Sequence, residues 1–398
     1  MKNLNNYSIG MKKVLFRADL NVPVTNGIVT DTSRILAVKK SIKILLEQKN
    51  KIFIISHFGR PKEDNKMQYS LEFLCTYLEK IFEVEKVFFL KNIESKELNK
   101  TINETNYGEI CLIENIRFYP GEEKNDQDFS KFFTDHFDVF VNDAFSASHR
   151  NHASITGFAK YLPAVAGNHL IKEINNIDLY LKKLKKPNLA LIGGSKISTK
   201  IKLLNNLIEL FDTIAIGGAM ANTFLLSNNI QIGSSLVEKE LIEHCIKIKN
   251  KADKFNCKLI LPIDVVCSIN INDKKNIRSC NIENILPNEM ILDIGEKTTK
   301  IIYDEILKSK MLIWNGPFGA FETKPFDESS KKIANIIKNS SKNINLDALA
   351  GGGDTVSFIR NANAEDGFKY ISNAGGAFLE WLEGKQSPGV VALKENKL

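Results

Sequence analysis

The 398-residue sequence predicts an α/β protein of two domains of similar size, each a parallel sheet flanked by helices. Three observations lead there. The length exceeds the roughly 250–300 residues at which a single core stops growing. Short apolar, β-branched runs alternate with helix-period segments along the whole chain, the pattern of βαβ units. The residues just after those runs are cationic, polar or glycine-rich, and ligands of parallel sheets gather at the carboxyl ends of strands.

In the first half, strands are expected at 14–17, 51–56, 109–113 and 138–142, with helices at 33–48 and 71–82. In the second, strands are expected at 189–192, 213–216, 259–262, 311–314, 348–350 and 369–372, with helices at 200–211 and 239–256. Between them, 169–186 reads as an amphipathic helix carrying Ile171, Ile174, Ile177 and Leu181 on its apolar stripe. Pro187 cannot continue it without cost. The expected division is therefore 1–168, a connecting helix 169–186, and 187–377.

Hydrophobic content of 43% and charged content of 25% are those of an ordinary soluble globular protein. The first residues lack the apolar core of a signal peptide, and no apolar run approaches the roughly 18 residues that span a bilayer. A cytoplasmic protein without a membrane partner is expected. The six cysteines form no C-x-x-C pair and no familiar zinc spacing, so they read as small apolar fillers in a reducing compartment. A formal charge of +7 raises nucleic acid as a partner, but the lysines are scattered among nearly as many acids, which favours a solvated surface. Arginine is uneven: five of the seven (Arg17, Arg34, Arg60, Arg117, Arg150) fall within the first 150 positions. A planar fork kept in so lysine-rich a chain suggests bidentate recognition of phosphate or carboxylate.

The strand ends carry the functional reading. In the first half they present Asp19 and Asn21, with Arg34 opening the next helix, then His57, Gly59 and Arg60, then Arg117, then His149, Arg150 and His152. Each has a bland reading as a turn residue or surface fork, but four such ends on one rim favour an anionic ligand. In the second half the ends are glycine-rich: 192–200 with Lys196 and Lys200, 216–220, 314–322 with Asn315 and Glu322, 351–355, and 372–376 including Asn373. The run Gly351, Gly352, Gly353, Asp354, Thr355 follows an apolar strand and precedes a helix. Glycine lets a ligand approach open N–H groups, which attract phosphate. Asp354 is placed either to cap that helix or to hold a divalent cation bridging phosphates. Neither G-x-x-x-x-G-K-[ST] nor G-x-G-x-x-G occurs.

Taken together these segments resemble the phosphoglycerate kinase family across essentially the full length. The resemblance rests on RADLNVP (17–23), SHFGRP (56–61), ENIRFYPGEE (114–123), NDAFSASHRNHAS (142–154), GGSKISTKI (193–201), IGGAMANTFL (216–225), LPIDVV (261–266), WNGPFGAFE (314–322), GGGDT (351–355) and LEGKQSPGVVAL (382–393). It implies two Rossmann-like domains with a cleft and hinge, and reversible transfer of the acyl phosphate of 1,3-bisphosphoglycerate to Mg-ADP, giving 3-phosphoglycerate and ATP. By similarity Asp19, Asn21, Arg34, His57, Gly59, Arg60, Arg117 and Arg150 bind the phosphoglycerate. Lys196, Lys200, Asn315, Glu322, Gly352, Gly353, Asp354 and Thr355 hold the nucleotide, Glu322 at the ribose and Asp354 at Mg²⁺. Arg34 and Lys200 are the expected catalytic groups, because loose phosphoryl transfer needs positioning and charge rather than a protein nucleophile. The resemblance also implies that the final segment, 378–398, packs back on the first domain; with the two ligand sets on different domains, closure about the connector is expected, and a monomer is expected because nothing calls for a dimer. Thr199, Ala219, Ser146, Ala374 and Glu296 depart from the commonest family pattern. Competing readings are another two-domain kinase for a small carboxylate, and a non-enzymatic nucleic-acid-binding protein.

Overall fold

Each half of the chain builds its own six-stranded parallel sheet. The computed structural model describes all residues but 183, 274 and 373, with the backbone alone at 65, 180, 181 and 182. The strand-end residue Asn373 and the apolar side chain expected at Leu181 therefore lie outside the described residues. Internal contacts divide the chain into Met1–Ile177 with Gln386–Leu398, and Asp178–Lys385.

In the first unit the strand order is Val87–Leu90, Ile110–Ile113, Lys51–Ile55, Lys13–Arg17, Val139–Asn142, Ala164–Ala166, all parallel. The middle strands are nearly continuous apolar runs because helices cover both faces; Val14, Leu15 and Phe16 are fully buried. Register sets Arg17 opposite both Ile55 and Asn142, so the segments that follow these strands leave from one rim. The edge strands Val87–Leu90 and Ala164–Ala166 were not expected from the sequence.

The second sheet runs Lys258–Ile260, Thr213–Ile216, Asn188–Ile192, Met311–Asn315, Asp347–Gly351, Tyr370–Ser372, again parallel. Beside it stands an antiparallel sheet that the sequence reading lacked: Asp264–Ser268 between Arg278–Asn281 and Met290–Ile294.

Two boundaries differ from expectation. The connecting helix is Asn168–Lys182, four residues shorter at its end than expected. Residues 378–385, expected to return to the first domain with the rest of the final segment, belong to the second unit, together with the whole of the helix Gly375–Leu382. Phe378 fills the space over Gly351, and the Leu382 carbonyl accepts from Asn206. Only Gln386–Leu398 groups with the first unit. There Gly389 N–H donates to the Ser148 carbonyl at 2.9 Å, and the Asn396 amide donates to the Ala159 and Leu162 carbonyls at 2.7 and 3.0 Å. No helix among the described residues is long and apolar enough to cross a membrane.

Candidate active site

In the first unit the chain leaves the strand Lys13–Arg17 with Ala18 and Leu20 buried, which fixes Asp19 between them. The Asp19 carboxylate accepts from Arg34 Nη1 at 2.6 Å, from Ser146 Oγ and from the Asn21 N–H at 3.1 Å. Burial alone would favour its neutral form; the Arg34 charge, helped by hydrogen bonds from Ser146 and the Asn21 N–H, overrides this and holds Asp19 down at about 2. Arg34 sits in the first turn of the helix Ser33–Glu47. Asn21 Oδ1 accepts from the Gly59 N–H at 2.8 Å, and Arg117 Nη1 donates to the Gly59 carbonyl. Gly59 has φ +58°, and the Tyr69 ring occupies the space a Cβ would need, so no other residue fits.

His57 is buried, with Nδ1 3.2 Å from Arg17 Nη2. Burial, only partly opposed by Asp19, keeps the imidazole neutral with its pKa pushed down to about 3. A guanidinium can only donate, so Nδ1 accepts and Nε2 carries the proton, free to donate to an anion. Arg150 is half-buried and Arg60 exposed; burial, with repulsion from Arg60, lowers the Arg150 pKa against the pull of Asp19. Arg117 Nε lies 3.1 Å from a Glu123 oxygen yet is not aligned to bond with it, leaving a buried donor unsatisfied.

Sequence reading counted Arg17 among the arginines suited to bidentate recognition but did not place it in the site. It is fully buried, donating Nε to Ser154 Oγ at 2.8 Å and Nη1 to the Ala18 carbonyl. Ser154 in turn donates Oγ to buried Glu122 at 2.6 Å. The available signal was a lone arginine closing an otherwise apolar strand.

In the second unit Lys200, only 9% exposed, donates Nζ to Asn315 Oδ1. Asn315 Nδ2 donates to the Gly351 carbonyl at 2.6 Å, and Thr355 Oγ1 accepts from the Gly316 N–H at 2.7 Å. Burial lowers the Lys200 pKa to about 8, opposed by Asp354 and Glu383. Gly352 has φ +106°, and a Cβ there would stand 2.7 Å from the Asn315 amide nitrogen. Gly352 also precedes the helix Gly353–Asn361 as its cap, which puts Asp354 inside the first turn. The capping role considered for Asp354 is thus excluded: its side chain is exposed and its neighbour's backbone makes the turn.

A cavity of about 550 Å³ opens beside these groups, walled by Gly194, Gly218, Ala219, Leu236, Glu322 and Asp354 among others. Its volume is that of a small-molecule site. Lys196 is exposed and outside the lining, although its neighbour Ser195 belongs to it. Lys200, Asn315 and Thr355 form the hydrogen-bonded group described above rather than cavity wall.

The departures from the family pattern also find places. Ser146 bonds Asp19, and Ala219 lines the cavity. Thr199 Oγ1 donates to the Lys196 carbonyl at 2.9 Å. Glu296 pairs with Lys332 on the surface at 2.8 Å, and Ala374 is buried.

Positive charge, rather than a nucleophile with its base, is what the two units share, and in the second it stands near a helix start whose cap is a glycine. That is the equipment of a phosphotransferase for small phosphorylated substrates. A family model described as phosphoglycerate kinase matches residues 4–385. The chain is 42% identical over 387 residues to the phosphoglycerate kinase of Rhizobium meliloti (strain 1021), covering 97% of both. It is 40% identical over 394 residues to that of Brucella abortus biovar 1 (strain 9-941), covering 99% of both. Among solved structures, phosphoglycerate kinase from Coxiella burnetii superposes with TM-score 0.88 at 35% identity, covering 99% of this chain and 98% of that one. The enzyme of Pyrococcus horikoshii OT3 gives 0.83 at 26% identity with the same coverage. The chain belongs to the phosphoglycerate kinase family. It is a glycolytic enzyme that interconverts 1,3-bisphosphoglycerate plus ADP with 3-phosphoglycerate plus ATP.

Proposed function

We propose that the arginine-rich strand ends of the first unit bind the phosphoglycerate, that the glycine-walled cavity of the second binds the nucleotide, and that the phosphoryl group passes directly in line. The observation that carries this reading is a cluster of guanidinium groups around one carboxylate and one neutral histidine: Arg34 on Asp19 at 2.6 Å, Arg17 3.2 Å from His57 Nδ1, and Arg117 on the Gly59 carbonyl. Asp19 and Asn21 hold Arg34 and Gly59 in place, and the Nε2–H of His57 donates to the substrate. Arg60, Arg117 and Arg150 neutralise its phosphate and carboxylate, the bidentate recognition for which arginine is suited.

On the nucleotide side, the first-turn N–H groups at Gly353, Asp354 and Thr355 face phosphate with the positive end of the helix. Asn315 orients Lys200, Lys196 reaches phosphate from outside the cavity wall, and Glu322 takes the ribose. Asp354 would hold Mg²⁺ jointly with the nucleotide. Mg²⁺ is usually bound by one or two carboxylates plus substrate phosphates, and a single exposed carboxylate at a helix start, lining the cavity, fits that demand. The ion supplies charge neutralisation at the phosphates when bound. Arg34 and Lys200 stabilise the charge that spreads over the transferring group. The acyl phosphate is its own good leaving group, so ATP formation needs no general base.

The reading includes a monomer in the cytoplasm, supported by six free thiols, four of them buried, which suit a reducing compartment. The test is turnover by Asp354→Asn across a Mg²⁺ titration. The reading expects the half-saturating Mg²⁺ concentration to rise at least tenfold, with 3-phosphoglycerate KM unchanged. An unchanged Mg²⁺ requirement would remove Asp354 from this role.

A further inference from the structure

One face of the antiparallel sheet carries a group of side chains that phosphoryl transfer does not use. Val265 stands opposite Cys280 and Cys267 opposite Arg278. Residues two apart on a strand point the same way, so Cys267, Cys280 and Arg278 share that face. Cys267 is also paired with Ile291, and Glu289 lies two residues before Ile291. A sulfur from each cysteine and a carboxylate oxygen of Glu289 come within 4.8 Å of one another, the only such group of His, Cys, Asp or Glu among the described residues. Cys267 and Glu289 are buried, and Cys280 is half-buried, which gives access from solvent.

We propose that Cys267, Cys280 and Glu289 form a binding site for a borderline-soft divalent cation of the Zn²⁺ type, with the fourth position open to water. The pairing disfavours a disulfide. Cys267 and Cys280 are diagonal neighbours, typically about 7–8 Å apart at Cα, whereas a disulfide needs about 4.4–6.8 Å. A metal with bonds of about 2.3 Å to each sulfur spans the wider gap. Glu289 accepts from Arg278 Nε at 2.9 Å, from Arg278 Nη2 at 2.6 Å and from the Leu286 N–H at 3.0 Å. A carboxylate has about four lone-pair sites, so one remains, and the three bonds hold it in orientation.

The charges also close. Two thiolates and a carboxylate carry three negative charges; Arg278 and a dication carry three positive. Binding replaces the two S–H bonds by two S–metal bonds and releases both protons to solvent. Val265, Ile282, Ile285 and Ile291 pack around the sulfurs and lower the local dielectric. The third strand, Met290–Ile294, also lines the nucleotide cavity, so an ion here ties the cavity wall to the strands carrying both cysteines.

The experiment is a titration of the reduced full-length chain with Co²⁺ and then Zn²⁺, read by absorbance and by proton release in weak buffer. One Co²⁺ should bind with a sulfur-to-cobalt charge-transfer band in the near ultraviolet, bleach on stoichiometric Zn²⁺, and release two protons per ion. Cys280→Ser should weaken binding at least tenfold while keeping phosphotransferase activity, which shows it folded; Cys75→Ser should bind as wild type does. No charge-transfer band in the wild-type chain, or a band of unchanged affinity in Cys280→Ser, overturns the proposal.

Discussion

Replacing Lys200 by methionine separates what the residue does for chemistry from what it does to the fold. Lys200 is 9% exposed and its ammonium is solvated chiefly by one partner, Asn315 Oδ1. Its pKa falls from 10.5 to about 8 through burial. At 1.36 kcal/mol per pH unit that fall corresponds to about 3 kcal/mol of destabilisation. The unfolded chain binds the proton more tightly, so the cost is full below pH 8 and fades as pH rises toward 10.5. Methionine removes that cost but leaves the buried Asn315 oxygen without a donor, a loss of about 1–3 kcal/mol. The two nearly cancel, with the balance toward stabilisation. Catalysis has no such compensation, because one preorganised donor at developing charge is worth about 10²–10³ in kcat. Lys200→Met should therefore melt no lower than wild type at pH 7 while kcat falls at least a hundredfold in the coupled assay. A kcat within tenfold of wild type, or a melting temperature lower by more than about 5 °C, would refute this reasoning; 1 kcal/mol moves a unit of this size by about 2–4 °C.

Arg34→Ala should lower kcat by on the order of 10² with the ADP KM unchanged, since Arg34 lies in the first unit; steady-state kinetics decides it, and a loss confined to nucleotide affinity contradicts it. Gly352→Ala forces an L side chain to φ +106° against the Asn315 amide, so both stability and nucleotide affinity should fall, the former by roughly 1–3 kcal/mol. Urea unfolding and ADP titration measure the two. His57 is held neutral with its pKa lowered, so the unfolded chain takes up its proton first as pH drops below 6.5. Wild type should lose about 2 kcal/mol relative to His57→Asn between pH 7 and pH 5, as measured by urea unfolding at the two pH values. A constant difference would show that His57 does not titrate this way.

Much of the architecture was legible because parallel strands covered by helices are written as unbroken apolar runs. Val14–Arg17, Thr213–Ile216 and Met311–Trp314 stand out in this way, and their polar sequels mark the rim. The antiparallel sheet was not legible, since its strands include Asp264, Ser268, Asn281 and Asp293 and mimic loops. Val87–Leu90 is too short, and Ala164–Ala166 too small in side chain, to show a period. Charged residues at a strand end could be picked out as candidates; those whose contacts depend on tertiary burial could not. Arg17 and Glu122 are brought together around Ser154, which is distant from both in sequence, and also attract each other directly. Cys267 and Cys280 looked like fillers because strand pairing, not spacing along the chain, brings them together.

The central claim is the division of ligands between the two units, and calorimetric titration of 3-phosphoglycerate and of Mg-ADP into Arg117→Ala and Asn315→Ala tests it most directly. Arg117→Ala should weaken 3-phosphoglycerate at least tenfold and leave Mg-ADP as in wild type, with the reverse for Asn315→Ala. If either substitution weakens both ligands alike, or weakens the ligand assigned to the other unit, the account is contradicted.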